Sequence, residues 1–88
     1  MAPQPSPASV ALGRAVRQLR LRLDISQEEL ALQSRLQRKT IYQIEAARAD
    51  PRYGTLRRVA EVLEVRVVEL LELADDLEAR ATGGGRDG

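Results

Sequence analysis

The chain has 88 residues, 14 of them Lys or Arg and 13 Asp or Glu, for a net charge of +1, which is room for one small domain. It has no cysteine and no histidine, which excludes a disulfide framework, a thiolate zinc site and the commonest general base. No enzyme activity, metal or cofactor is therefore expected. The charge is unevenly placed: residues 1–23 hold four arginines and no acid, residues 24–60 are net +2, and residues 61–88 are net −5. One end of the molecule is suited to phosphate and the other avoids it.

Residues 1–8 lie in the proline-, alanine- and serine-rich MAPQPSPAS, which cannot bury a core and reads as a disordered tail, not a secretory signal. Leu12, Val16, Leu19 and Leu23 recur at helical spacing and predict a first helix over Ser9 to Leu23. Arg14, Arg17, Arg20 and Arg22 fill much of its remaining surface, and Arg20 adjoins the apolar stripe. Ser26 followed by Glu29 is a capping box, opening a second helix from Gln27 to Ser34 with Leu30 and Ala31 inward. After a turn at Ser34 to Leu36, a third helix is predicted over Arg38 to Ala46, with Gln37 as its cap.

On that third helix Ile41 and Ile44 face in, while Gln37, Arg38, Lys39, Tyr42 and Gln43 face out. The outward set is long and hydrogen-bonding, with two cations and no acid, which is what reading base edges in a major groove requires. Pro51 stops helix continuation, and Arg48 lies in the loop before it. Leu56, Val59, Ala60 and Leu63 predict a fourth helix over Tyr53 to Leu63. Val67, Leu70, Leu71, Ala74, Leu77 and Ala81 predict a fifth over Val67 to Ala81, with Leu73 off the stripe. Acids lie opposite or beside that stripe. Its surplus apolar positions, Leu70, Leu71, Ala74 and Leu77, suggest a seam between two copies of the chain, with the core of the single chain as the alternative place for Leu70. Residues 82–88 read as a flexible tail, and no apolar run approaches the roughly 18 residues of a membrane span.

LGRAVRQLR, ISQEELA, KTIYQIE, the Pro51 turn and TLRRVAEVL occur in this order between about Leu12 and Leu71. Together they resemble the helix-turn-helix family of lambdoid phage repressors and Cro proteins, which includes the small restriction–modification controller proteins. The resemblance implies a compact, all-α, five-helix domain over residues 9–81, with the helix-turn-helix at the second and third helices. It further implies a cytoplasmic, nucleoid-associated transcriptional regulator of a bacterium or phage. Such a protein would bind double-stranded DNA as a homodimer on a palindromic operator, with no membrane partner and no small-molecule ligand. An antitoxin, whose last helix meets a different protein, is the alternative.

Carried residue by residue, the resemblance assigns Arg38, Lys39, Tyr42 and Gln43 to bases. It assigns Gln27, Gln37 and Arg48 to phosphates, and joins Arg20 to Glu45 as a structural ion pair. The family has glycine where Arg35, Ala47 and Glu64 stand. These departures imply either helix ends shifted by a residue or a left-handed backbone held under strain.

Overall fold

In the computed structural model residues 4–83 are described, and they form five α-helices with no strand among them. The helices are α1 (Pro7–Arg22), α2 (Gln27–Ser34), α3 (Arg38–Glu45), α4 (Tyr53–Val62) and α5 (Val67–Ala81). Of the expected tails, residues 1–3 and 84–88 lie outside the described residues.

The first helix begins earlier than its leucine spacing predicts, and the cause is local. Ser6 has an extended backbone, and its Oγ accepts a hydrogen bond from the Ser9 N–H at 3.0 Å. Pro7 takes the first helical position, where a missing N–H costs nothing and the fixed φ suits the helix. Part of the expected tail, Ser6 to Ala8, therefore belongs to the domain. At the second helix the expected capping box is present in full: Ser26 Oγ accepts from Glu29 N at 3.0 Å and Glu29 Oε1 from Ser26 N at 2.8 Å.

α1 lies along α5 and against α3, α2 packs on α3 and α4, and α4 closes onto α5. Leu30, Ile41, Ile44, Leu63, Leu70, Val16 and Val59 are the largest fully buried side chains, so every helix contributes to the core, directly or through its C-terminal residue. Gly13 sets how closely α1 can approach α3. A Cβ there would stand 2.5 Å from the Ile44 carbonyl oxygen and 2.8 Å from that of Glu45. Both are backbone atoms that cannot swing aside.

Helices α1 to α4 all end the same way. Asp24, Arg35, Ala47 and Glu64 have φ of 58°, 60°, 60° and 64°, the left-handed region that glycine enters most easily. Each is followed by a residue whose N–H reaches back to the last turn: Ile25 to Arg20 O, Leu36 to Ala31 O, Arg48 to Gln43 O and Val65 to Ala60 O. This is the Schellman arrangement, which satisfies carbonyls that a helix end would otherwise leave free. At Arg35, Ala47 and Glu64 the left-handed turn is kept without glycine, so the helix ends are not displaced to avoid it. Ile25, Leu36 and Val65 then fold back onto the core, which is the apolar contact that usually accompanies this cap. Arg48 is the exception, and it faces solvent.

Candidate nucleic-acid interface

α3 is held from behind by Ile41 and Ile44, at 0% and 1% exposure. Its other face carries Arg38, Lys39 and Tyr42 in the open, with Gln43 half-buried beside them. Gln37 precedes the helix on an extended backbone, and its side chain makes no capping hydrogen bond. The helix ends at Glu45, one residue before the expected Ala46, because Ala46 and Ala47 turn out of it toward Arg48. From Gln37 to Arg48 the outward residues are amide, cationic or phenolic, and the only acid of the segment is turned inward.

That acid is Glu45, and side chains from α1 and α2 converge on it. Arg20 donates from Nε to Glu45 Oε2 at 2.6 Å and from Nη2 to Oε1 at 2.9 Å. The side chains of the pair are only 9% and 4% exposed. Arg20 Nη1 donates to the Ile25 carbonyl at 2.9 Å, tying the same guanidinium to the turn before α2. Gln27, the first residue of α2, donates from Nε2 to Glu45 Oε1 at 3.0 Å. Donating to the Glu45 carboxylate raises the Arg20 pKa above its ordinary value, against the opposing effect of burial. The carboxylate at the end of α3 is neutralised, so α3 presents an outward surface without uncompensated negative charge.

The structure brings Arg20 and Glu45 together in a two-pronged contact, the geometry that makes an arginine–carboxylate pair specific. It places Gln27 on Glu45 as well, a contact the sequence did not reveal because the two residues are distant in the chain and no local pattern links them. Arg48 stands exposed in the turn after α3. In the same turn position where α1, α2 and α4 bury an apolar side chain, α3 exposes a cation.

At α5 the single chain itself buries part of the expected seam. Leu70 is 0% and Ala74 8% exposed within the single chain, and Leu77 is half-buried against the core. Leu73, expected off the stripe, also packs against the core. The large apolar side chains that α5 leaves open are Val68 and Leu71, at 44% and 41%. The physical reason is that α1 lies along α5 and takes the centre of its apolar face. Val68 lines a groove with Tyr53, Gly54, Arg57 and Arg66, between the start of α4 and the start of α5. Among the described residues no cluster of potential metal ligands occurs, and no helix is long and apolar enough to cross a membrane.

A capped helix, a left-handed turn and a second helix with an open polar face form a helix-turn-helix unit, here braced by α1 and α4. A helix-turn-helix family model matches residues 16–70. A candidate HTH-type transcriptional regulatory protein of Methanococcus maripaludis is 33% identical over 75 residues, 85% of this chain and 23% of that protein. A similarly named protein of Methanococcus vannielii is 36% identical over 66 residues, 75% of this chain and 20% of that one. The chain thus spans under a quarter of the length of these curated relatives. The crystal structure of the clp gene regulator ClgR from Corynebacterium glutamicum superposes with a TM-score of 0.84 at 27% identity, covering 93% of this chain and 86% of that one. A second structure of ClgR gives a TM-score of 0.78 at 29% identity, over 90% of this chain and 100% of that one. The chain belongs to the helix-turn-helix family of the Cro/C1 type.

Proposed function

We propose that the protein is a sequence-specific transcriptional regulator that binds double-stranded DNA as a homodimer through α3. The observation that carries this reading is the outward face of α3. Arg38, Lys39, Tyr42 and Gln43 stand free on a helix whose rear is buried and whose one acid is neutralised by Arg20. An arginine can make two hydrogen bonds to guanine and a glutamine two to adenine, each such pair giving about 1–3 kcal/mol of discrimination. Around them Gln37, Arg48 and the first turn of α2 with Gln27 hold phosphates, which supplies affinity and register without reading sequence. Membership of the family and the name of ClgR as a gene regulator support the same reading.

Two copies acting together would bind a palindromic operator with half-sites about one helical turn, roughly 34 Å, apart. The exposed Val68 and Leu71 on α5, with Tyr53 at 65% exposure across the groove from Val68, support a second copy of the chain as the partner. The proposed setting is that of a restriction–modification controller or a phage or plasmid repressor. Selection of bound duplexes from a random pool tests the reading. An enriched twofold-symmetric sequence is expected, and a pool that stays random after repeated rounds would refute it.

A further inference from the structure

We infer that α1 of one copy of the chain docks on α5 of a second copy through two matched stripes of opposite charge. The inference rests on the homodimer reading and names the surfaces that join the two copies. Val10, Arg14, Arg17 and Leu21 lie on the face of α1 turned away from the core, at steps of four, three and four residues. Val68, Glu72, Asp75 and Ala79 lie on the outer face of α5 at the same steps. All of these side chains are exposed. Steps of four and three keep each set in one line along its helix, and each line is about 16 Å long. One line reads apolar, basic, basic, apolar, and the other apolar, acidic, acidic, apolar.

Within the single chain these charges are not used. α1 packs along α5, yet among the described residues the one ion pair is that of Arg20 with Glu45. Single exposed apolar side chains are ordinary on a protein surface. Here they close both ends of a basic stripe, Val10 at 38% and Leu21 at 55% exposure. The spacing reads the same from either end, so the stripes also match with the two helices antiparallel. Arg14 then meets Asp75, Arg17 meets Glu72, and Leu21 meets Val68. A twofold axis would form the contact twice, α1 of each copy on α5 of the other. Leu71, one helical turn from both Val68 and Asp75, lies at the edge of the same contact. Ion pairs that stay in water contribute little affinity. Their effect is to reject a wrong partner or register, because like charges brought face to face cost more than unlike ones gain.

The test is charge reversal in the full chain, read by sedimentation at low salt, where exposed charges are least screened. Arg14→Glu with Arg17→Glu makes both stripes acidic, and Glu72→Arg with Asp75→Arg makes both basic. Each variant alone should associate about tenfold more weakly than the parent, or worse. An equimolar mixture of the two should recover association to within about threefold of the parent, since every acidic stripe then faces a basic one. The chain carrying all four changes should recover it alone. All four positions are exposed, so the variants should melt as the parent does, and recovery in the mixture itself requires folded chains. Variants that associate as the parent does overturn the inference, as does a mixture that stays dissociated, and a dimeric parent then keeps the homodimer reading with its seam elsewhere. A parent that is itself monomeric removes the homodimer reading first, so the two failures are told apart.

Discussion

At the scale of single residues, the domain concentrates its electrostatics in one place and its strain in four. The Arg20–Glu45 pair is nearly shut off from water, so removing either partner strands the other. Such a loss costs about 3–5 kcal/mol, far above the 0–1 kcal/mol of an exposed pair. Arg20→Ala and Glu45→Ala should each lower the melting temperature by at least 10 °C or so, taking about 4–8 °C per kcal/mol for a domain of this size. The double replacement Arg20→Met/Glu45→Leu should recover much of that loss, because it leaves no stranded charge. Thermal melts followed by circular dichroism decide it, and unchanged melts for both alanine variants would remove the pair from the account of stability.

The strain lies at the left-handed positions. Glu64, at φ 64° and exposed, is the cleanest to test because it ends α4, away from α3. Glu64→Gly relieves the crowding of Cβ against the backbone while loosening the unfolded chain. We expect a net gain of up to about 1 kcal/mol, read as a rise of a few degrees. Glu64→Val should do the opposite, since a branched Cβ tolerates this conformation worst. A melt in which glycine lowers stability would show that the turn is not strained.

At the scale of helices, how much the sequence disclosed depended on whether the deciding interaction was local. The capping box of α2 lies within four residues, and both ends of that helix are where Ser26, Glu29 and Ser34 put them. The Ser6 cap is equally local, but it sits in a stretch whose composition reads as a tail, and the composition masked it. Leu73, expected off the stripe, packs against the core because the apolar arc of α5 is wide. Which part of that arc is buried depends on how α1 lies against it, which no spacing within α5 encodes. The left-handed turns at Arg35, Ala47 and Glu64 were legible only as a question, since these residues do not themselves favour that backbone. The structure answers it through the N–H groups of Leu36, Arg48 and Val65.

The outward face of α3, by contrast, follows from Ile41 and Ile44 alone: bury those two and Arg38, Lys39 and Tyr42 must point away. The division of labour proposed along this segment gives opposite outcomes at two positions. Gln43→Ala should relax the preferred base at one position per half-site and leave the salt dependence nearly intact. Arg48→Ala should lower the slope of log affinity against log salt by about one per subunit and leave the site preference unchanged. Salt titrations and site selection on both variants check this. The reverse pattern would exchange the two roles.

For the molecule as a whole, α1 with its four arginines packs along α5 with its five acids, so these two stretches of opposite charge are neighbours in the fold and not its opposite ends. A homodimer must therefore use surface that α1 leaves uncovered, and on α5 that is Val68 and Leu71. Leu71→Asp places a charge there without entering the core. It should shift sedimentation toward the monomer and weaken operator binding, with the melting temperature at low protein concentration little changed. A variant that still sediments as the parent does would move the interface elsewhere.

The most direct measurement of the central claim is site selection with the parent chain beside a variant in which Arg38, Lys39, Tyr42 and Gln43 are all alanine. Arg38, Lys39 and Tyr42 are exposed and Gln43 is half-buried, so the variant should fold and melt close to the parent. An enriched palindromic sequence is expected for the parent and none for the variant, which keeps only weak, salt-sensitive binding from its remaining cations. Enrichment of the same sequence by both proteins would contradict the account, because bases would then be read by some surface other than α3.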